Sequence, residues 1–468
     1  MFTLPGRSVR HCDGVSRRGF LTAGAMGLGG LTLADLLRAE DAAGVGSSHK
    51  AIINIHLDGG PPQLDTIDMK PDSPSGIRGE FLPIQTSLPG FQICELFPKL
   101  AVMADRFSFI RSLVGSAGAH DAFQCQSGYR KNNLQSIGGR PAMGCVINKL
   151  LGKTSDVAPA YVDLMQGRPL VRNSGRPGFL GPSFGPFRPD LSQIFQRKLE
   201  KGMMGELARL GGNHTTSLTL NTSLSLDRLR SRQGLLAGLD RIRRQSDASG
   251  MMDAMDRFTQ QAVGILTSGR FANAMDFSQE SPETIARYQA PPDGIERFVT
   301  SESPEGSMKL LLARRLIEAG VRIVSLTISD FDTHSKNFPR MRQMAPIIDQ
   351  ALTALVSDLE ERGMLDDVTI VAWGEFGRTP QINKNGGRDH WPRVSPAIIV
   401  GGGCQPGQVI GATDRTAGAA IERPIEFKDV FATLYRNLNI EATKITIADP
   451  RGRPQYLLDS GVPVRELI

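Results

Sequence analysis

Cysteine, aromatic residues and long basic runs are all scarce in this 468-residue sequence, and each scarcity argues against a class of protein. The four cysteines that lie beyond residue 45 have neither the spacing of a zinc clip nor that of a disulfide-rich scaffold. We expect them to be buried free thiols, with one or two disulfides as the alternative. They are Cys94, Cys125, Cys145 and Cys404.

The charge balance gives little support to a nucleic-acid partner. The net charge is +6, but Lys and Arg are mixed with Asp and Glu, and no basic run is interleaved with aromatic residues. Hydrophobic residues make up 40% of the chain and charged residues 22%, which is ordinary for a soluble globular protein. We therefore expect a large globular fold that binds no nucleic acid, and a small anionic substrate is equally compatible with the charge.

The N-terminal 1–45 segment resembles a twin-arginine export signal. The sequence SRRGFL, which contains Arg17 and Arg18, precedes a Gly/Ala/Leu run that ends near Leu37. This run is too short and too rich in glycine to span a membrane stably. We therefore expect export by the twin-arginine machinery to the periplasm or the extracellular space. An ordinary basic N-terminal helix is the alternative, and the absence of an A-x-A site leaves cleavage and an uncleaved anchor open.

The remaining sequence, 50–468, has the alternating strand and helix pattern of an α/β fold. Short apolar β-branched runs predict strands at 51–57, 107–113, 321–327, 368–371 and 397–400. Helical spacing predicts helices at 98–104, 308–319, 346–362 and 427–438, and the segment at about 190–300 is expected to be a helical insertion. The order of strand, helix and strand after residue 321 implies parallel strands, whose carboxyl ends share one edge.

Acidic residues and histidines follow several predicted strands at that edge. The first strand runs into Asp58, two glycines and Asp65, and the second runs into a Gly-rich segment that ends at His120. Asp332 and His334 follow the strand at 321–327, and such a pair is common among ligands of zinc and similar ions. Taken alone, His334 could be a loop histidine, and His120 could be a metal ligand, a general base or a helix cap.

The segment 368–403 contains the densest group of charged residues near a core strand. Glu375 follows the strand, and a loop then brings Arg378, Arg388, Asp389 and His390. Singly, Glu375 and Arg378 could pair as loop ions and Asp389 could cap a turn. Together they indicate a site at the strand ends, because charged groups near a core are costly unless they are paired or metal-bound.

Carboxylates and histidines converging from several strands are what a dinuclear metal centre requires. We predict a divalent cofactor, Zn, Ca, Mg or Mn, and the predicted metal ligands are Asp58, Asp65, Asp332, His334, Glu375, Asp389 and His390. Two arginines, Arg378 and Arg388, would neutralise the oxygens of an anionic ester. His120 would act as the base.

Several motifs resemble those of the DUF1501 family, within the alkaline phosphatase and sulfatase-like superfamily. They are the twin-arginine leader, DGGPPQLDTIDMKP, IRGEFLPIQTSLPG, PGFLGP, DTHSKNF, GEFGRTPQINKNGGRDHWP and GQVIGATD. The resemblance implies a three-layer sandwich with a central, mainly parallel sheet and two divalent metal sites at the carboxyl ends of its strands. It also implies that Asp58, Asp332, His334, Glu375 and His390 occupy ligand positions.

Two departures from the superfamily pattern bear on the mechanism. The position that holds a nucleophilic Ser, Thr or Cys falls at Gly118 and Ala119, and Glu375-Phe376 replaces a late Asp-His pair. We therefore predict an exported metal-dependent hydrolase of sulfate or phosphate esters that uses water as its nucleophile. Its substrate would be a small anionic ester or a sulfated or phosphorylated polymer. The alternative is a non-catalytic exported binding or structural protein that retains the fold.

Overall fold

A computed structural model of the chain describes residues 49–134, 138–153, 156, 158–191, 194, 195, 269–290 and 296–468. The leader predicted at 1–45 lies outside the described residues, as do 192, 193, 196–268 and 291–295 of the predicted helical insertion. The described part of that insertion contains two short helices, at 270–275 and 282–288. The segment 50–468 forms one unit.

An eight-stranded mixed sheet forms the centre of this unit. Its strands are β1 (Ala51–Asp58), β4 (Ser108–Val114), β5 (Tyr161–Leu164), β6 (Ile323–Ser329), β7 (Val368–Trp373), β10 (Ser395–Gly401), β11 (Val409–Ile410) and β14 (Ile425–Glu426). Their order is β11-β4-β10-β7-β1-β6-β5, and β14 also pairs with β4. Only β10 runs antiparallel to its neighbours, β4 and β7.

Short two-stranded ribbons lie outside the central sheet. Their strands are β2 (Pro83–Gln85), β3 (Gln92–Cys94), β8 (Gly377–Arg378), β9 (His390–Trp391), β12 (Ala412–Thr413), β13 (Ala420–Glu422), β15 (Thr446–Ala448) and β16 (Pro454–Tyr456). The ribbons pair β2 with β3, β8 with β9, β12 with β13 and β15 with β16.

Helices cover both faces of the sheet and give three layers. The described α-helices are α1 (Ser75–Arg78), α2 (Pro98–Val102), α3 (Gln124–Ser127), α4 (Met143–Leu151), α5 (Pro169–Arg172), α6 (Arg270–Met275), α7 (Pro282–Tyr288), α8 (Met308–Glu318), α9 (Asn337–Glu361) and α10 (Phe427–Asn437). One core cluster includes residues of α8 and α9, and the other includes residues of α4 and α10. The expected α/β fold with a mainly parallel central sheet is confirmed.

Strand β1 shows how the sequence produces these layers. All eight of its residues are buried, as expected for a parallel strand covered on both faces. Successive side chains point to opposite faces, so Ile53 and Ile55 join the α8 and α9 core whereas Ile52 joins the other. On the face of Ile52 the strand continues with His56 and then Asp58, so its alternation places polar side chains toward its carboxyl end.

The helix predicted at 346–362 is wrong at its start. Pro346 favoured a first turn there, but α9 begins at Asn337 and contains Pro346 in its interior. An interior proline costs about 3 kcal/mol, because it removes one backbone hydrogen bond and crowds the preceding turn. Burial of Met341, Met344 and Ala345 in the core offsets this cost.

The strand predicted at 321–327 begins two residues later than expected. Gly320 follows α8 with a positive φ of 111° and acts as the predicted helix stop. The backbone N–H of Val321 then donates to the carbonyl of Leu316, so it still belongs to the end of the helix. Strand β6 therefore starts at Ile323. Strand β5 was not predicted at all.

Candidate metal centre

The carboxyl ends of β1, β4, β6 and β7 lie along one edge of the sheet. These strands are mutually parallel, because β7 and β4 both run antiparallel to β10 and β1 pairs in parallel with β6 and β7. Asp58 ends β1, and the segments that follow the other three strands contribute His120, Asp332 and Glu375, as the sequence predicted. Two groups of side chains there have the spacing needed to hold a metal ion.

The first group is the histidine cluster, which consists of His120, Asp332, His334 and His390. Nε2 of His334 lies 3.0 Å from Nε2 of His390. Oδ1 of Asp332 lies 3.1 Å from Nε2 of His334 and 3.3 Å from Nε2 of His390. Oδ2 of the same carboxylate lies 3.1 Å from Nε2 of His120. One donor atom from each residue therefore converges on a common point.

The cluster is partly open to solvent. The side chain of His334 is 48% exposed, whereas those of His120 and Asp332 are 15% and 17% exposed. The inner wall is the buried ring of Phe376, whose centroid lies 4.2 Å from that of His390 and 5.3 Å from that of His120. Among the described residues, the His334 side is the more open one, and Phe376 packs against the opposite side.

Close backbone packing positions Asp332. Gly59 follows β1 with a φ of +98°, and a Cβ placed there would lie 2.4 Å from the backbone nitrogen of Asp332. The N–H of Asp332 donates to Oδ1 of Asp330, and the N–H of Phe331 donates to the carbonyl of Asp58. Position 59 must therefore be glycine, because a residue with a Cβ could not lie so close to the backbone of Asp332.

The loop between β8 and β9 positions the exposed side of the cluster. Oδ1 of Asp389 lies 2.6 Å from Nδ1 of His334, on the opposite side of the ring from the cluster. Asn383 donates to the same oxygen and to the carbonyl of His334. The predicted metal ligand Asp389 therefore contacts the far nitrogen of His334 and is not part of the histidine cluster.

The second group is the buried cluster, which consists of His56, Asp58 and Glu375. Nε2 of His56 lies 3.2 Å from Oε2 of Glu375, although neither ring nitrogen of His56 makes a well-aligned hydrogen bond to the described residues. The carboxylate of Glu375 accepts from the N–H of Gly59 at 3.1 Å. Its Oε1 lies 3.2 Å from Nδ1 of His120, so His120 stands between the two clusters.

The charges of these groups depend on one another. Burial opposes the ionisation of Asp332, but hydrogen bonds with His120 and His390 outweigh it and hold the pKa of Asp332 far below its usual range. Burial likewise opposes the charge of Glu375, and the imidazoles of His56 and His120 lower its pKa. Burial also opposes protonation of His120, but hydrogen bonds to the two carboxylates raise its pKa to about 9.

Asp65 and Arg388 do not join either cluster, which corrects two of the predicted roles. They form a fully buried ion pair, with Nε of Arg388 2.8 Å from Oδ2 of Asp65. Asn337 donates to Asp65 as well, and the other donors of Arg388 bind the carbonyls of Ile77, Thr379 and Pro380. Because these groups are already paired, Asp65 is not a ligand and Arg388 does not reach a substrate.

Arg378 lies at the cluster but is also fully buried. Its guanidinium donates to Asp332 at 2.7 Å and to the carbonyls of Gly59, Gly60 and Arg388. It balances the charge of Asp332 from the buried side of the carboxylate. Four of its five N–H donors are used in this way and its side chain is 0% exposed, so it does not reach the oxygens of an ester, contrary to the predicted role.

The sequence analysis missed two residues at this edge, His56 and Arg168. His56 lies two residues before Asp58 in β1, and strand alternation alone would have placed both on one face. Arg168 follows β5, the strand that was not predicted, and its side chain is 16% exposed. Its guanidinium lies 3.3 Å from Oδ2 of Asp332.

A family model described as "Protein of unknown function (DUF1501)" matches residues 49–468. The chain belongs to the DUF1501 family. The matched segment contains both clusters. No curated protein matches this DUF1501 chain.

Solved structures with a similar arrangement are distant from this DUF1501 protein. The lipoteichoic acid synthase of Listeria monocytogenes is 11% identical, with 84% of this chain and 72% of that chain covered and a TM-score of 0.32. The phosphonate monoester hydrolase of Agrobacterium radiobacter is 12% identical, with 89% and 77% covered and a TM-score of 0.31. A Bacteroides thetaiotaomicron structure reported with the metabolism of multiple glycosaminoglycans is 9% identical, with 86% and 78% covered and a TM-score of 0.34. Similarity of this size supports no statement about activity.

Two other predictions concern the described part of the DUF1501 chain. Its four cysteines are free, as expected, and three of them are buried. Burial raises the pKa of the Cys94 thiol to about 12, so this thiol is unreactive at neutral pH. Among the described residues, no helix is both long and apolar enough to cross a membrane.

Proposed function

We propose that this DUF1501 protein is a metal-dependent hydrolase of phosphate or sulfate esters. The observation that carries the proposal is the convergence of three imidazole nitrogens and the Asp332 carboxylate at a partly open edge of the sheet. Neutral imidazole and carboxylate are the donors that zinc and related divalent ions prefer. Strand ends of this kind are also where α/β proteins place their ligands.

The residues present fit such an ion, and the histidine cluster would hold it. When bound, a divalent ion supplies Lewis acidity toward ester oxygens and lowers the pKa of water in the site. Phe376 keeps water away from the inner side of the cluster, which strengthens electrostatic interactions there. Asp389 fixes His334 and Glu375 fixes His120, so both rings are oriented before a substrate arrives.

Arg168 is the cation best placed to bind an anionic oxygen of the substrate. It is partly exposed and contacts Asp332 through one long hydrogen bond, whereas Arg378 and Arg388 are fully buried and donate to groups within the protein. A planar guanidinium suits the oxygens of phosphate and sulfate. We therefore assign the role first given to Arg378 and Arg388 to Arg168.

Water is the nucleophile that the site supports. Gly118 and Ala119 have no side chain that could attack an ester. The nearby hydroxyl of Ser116 is buried and donates to the carbonyl of Glu375 at 2.5 Å. Hydrolysis in one step therefore requires no covalent intermediate on the protein.

The proposal is tested by metal analysis and a substrate panel. The purified protein should contain a divalent ion and hydrolyse at least one of an aryl phosphate, an aryl sulfate and a phosphodiester. Asp332→Asn should lower kcat/KM by more than the roughly 100-fold expected for a residue that only orients a metal ligand. Asp366→Asn is the matched control, because Asp366 is exposed near the start of β7, at the opposite edge. A folded protein with no metal and no turnover would end the proposal.

Removal of the Arg168 guanidinium should weaken substrate binding. Arg168→Gln is expected to raise KM about tenfold or more, because a charge-assisted hydrogen bond contributes roughly 1.5–3 kcal/mol. Arg168→Lys should recover part of the loss, and the exposed Arg451→Gln should change nothing. Steady-state kinetics with the best substrate of the panel measures this, and an unchanged KM would remove Arg168 from the site.

We also propose that the protein acts outside the cytoplasm, on the basis of the SRRGFL motif in the leader. Replacement of both Arg17 and Arg18 by lysine should retain the protein in the cytoplasm. Cell fractionation measures the distribution, and a cytoplasmic marker enzyme controls for lysis. Periplasmic accumulation of the double variant would contradict export by the twin-arginine machinery. The substrate we expect there is a small anionic ester or a sulfated or phosphorylated polymer.

One observation favours the non-catalytic alternative. Four protein donors in the histidine cluster can satisfy a tetrahedral ion, and closed sites of this kind are structural in many zinc proteins. The substrate panel separates the two functions: bound metal without turnover, and an Asp332→Asn variant that loses only thermal stability, would favour a structural site.

A further inference from the structure

The imidazoles of the histidine cluster and the nearby carboxylates of Glu375 and Asp389 have different contacts. Each of His120, His334 and His390 directs Nε2 toward the carboxylate of Asp332. The atoms Nε2 of His334, Nε2 of His390 and Oδ1 of Asp332 lie 3.0 to 3.3 Å apart, and with a donor atom of His120 all four lie within 4.8 Å of one another. One ion could therefore contact all four residues.

Two of the three rings have a carboxylate on their other nitrogen. Nδ1 of His334 lies 2.6 Å from Asp389, and Nδ1 of His120 lies 3.2 Å from Glu375. A carboxylate in this position fixes the tautomer, so that Nε2 is the nitrogen available to an ion. The far nitrogens are therefore occupied by groups that orient the rings.

Both oxygens of Glu375 contact other groups of the protein. Its carboxylate accepts from Gly59 and faces His120 through Oε1 and His56 through Oε2. The side chains of His56 and Glu375 are only 0% and 1% exposed, so this pair is more deeply buried than the histidine cluster. The contacts with Gly59 and with Nδ1 of His120 suit a carboxylate that orients the His120 ring.

We propose that the centre binds one ion, held by His120, Asp332, His334 and His390, and that Glu375 and Asp389 are positioning residues. This assignment rests on the metal binding in the proposed function. It makes His120 a ligand, and it removes the second ion that a dinuclear centre would hold. The competing assignment places a second ion in the buried cluster, where His56, Asp58 and Glu375 would all be ligands.

Metal stoichiometry of the full chain distinguishes the two assignments. The protein is stripped with a chelator, titrated with Zn²⁺ or Co²⁺, and analysed by elemental analysis and native mass spectrometry. We expect one ion per chain in the wild type and in His56→Gln. We also expect a cobalt absorption spectrum typical of nitrogen and oxygen ligation. Two ions per chain, with one lost in His56→Gln, would overturn the single-ion proposal and leave the proposed function in place.

The positioning roles are tested by affinity and not by activity. Glu375→Gln and Asp389→Asn should each keep one ion and lower the affinity by about 10–100-fold. Asp389 is half-exposed, so its variant is expected to fold even where the buried Glu375→Gln does not. Asp366→Asn should leave the affinity unchanged. Unaltered affinity in Asp389→Asn would refute its positioning role, and a wild type that binds no ion would refute the proposed function together with this inference.

Discussion

At the scale of single residues, the roles of the charged side chains depend on which partner each one meets. Asp65 and Asp332 both follow a strand in an Asp-containing loop, yet Asp65 is neutralised by Arg388 whereas Asp332 faces three imidazoles. Arg378 and Arg168 both contact Asp332, but Arg168 is partly exposed whereas Arg378 is fully buried. Residue type predicted that these groups would matter, but the partner decides whether a group binds a ligand or supports the fold.

Gly59 offers a test of how tightly Asp332 is placed. Gly59→Ala should lower the free energy of unfolding by about 2 kcal/mol or more. Both the strain of a positive φ and the steric overlap with the backbone of Asp332 contribute to this loss. Denaturant unfolding measures the loss, and a zinc titration should show weaker binding.

Gly90→Ala is the matched control for this change. Gly90 has a φ of +78°, but nothing lies within 4 Å of a Cβ built there. This variant should therefore lose only the backbone term of about 1 kcal/mol and should bind zinc normally. Equal losses and equal zinc binding in the two variants would contradict a steric link between Gly59 and Asp332.

At the scale of elements, helix α9 connects the sheet to the small helix α2. Asp349, near the middle of α9, accepts from the N–H of Leu100 at 2.7 Å and from that of Lys99 at 3.1 Å. These two N–H groups lie in the first turn of α2, where no intrahelical partner exists. The long helix therefore caps the short one across the core, which a reading of local sequence could not predict.

This contact should give stability a measurable dependence on pH. Burial raises the pKa of Asp349 to about 6, although both N–H groups favour the charge. A folded-state pKa above the unfolded value means that the stabilisation is present below the unfolded pKa, near 4, and is lost as pH rises through about 6. Relative to the wild type, Asp349→Asn should therefore gain about 1 kcal/mol between pH 5 and pH 8.

Urea unfolding at the two pH values measures the difference. The amide introduced by Asp349→Asn cannot titrate, so the change between pH values isolates the carboxyl group whatever the variant costs in hydrogen bonding. The exposed Asp366→Asn should show the same difference from the wild type at both pH values. A difference for Asp349→Asn that is also independent of pH would show that its carboxyl group is not destabilised by burial.

At the scale of the whole molecule, metal binding and folding should be coupled. The histidine cluster joins loops that follow β4 and β6 to strand β9, and these ligands are far apart in an unfolded chain. An ion that binds only the folded state stabilises it by about 4 kcal/mol when its free concentration is 1,000 times Kd. Chelation should therefore lower Tm by several degrees, and added Zn²⁺ should restore it.

Thermal unfolding with and without a chelator tests this coupling. Asp332→Asn should have a lower Tm than the metal-loaded wild type and should not respond to Zn²⁺, whereas Asp366→Asn should respond as the wild type does. A wild-type Tm that is the same with chelator and with excess Zn²⁺ would show that no ion binds the folded protein preferentially.

The sequence by itself determined the α/β class, most strands of the central sheet and the edge at which the site lies. These features follow from local rules: runs of β-branched residues form buried strands, and parallel strands place their carboxyl ends together. Asp332, His334 and His390 could be predicted for the same reason, since they directly follow strands or lie in the loop rich in charged residues.

Only the tertiary structure decided which of the charged side chains face one another. Asp65 and Arg388 are 323 residues apart, and Glu375 and His120 are 255 apart, so no local pattern contains either contact. Burial makes such pairings decisive, because a charge removed from water must find a partner and is then no longer available to a ligand. The pairing of β1 in the sheet places His56 at the site. Arg168 reaches the site because it follows β5, a strand whose sequence gave no clear signal.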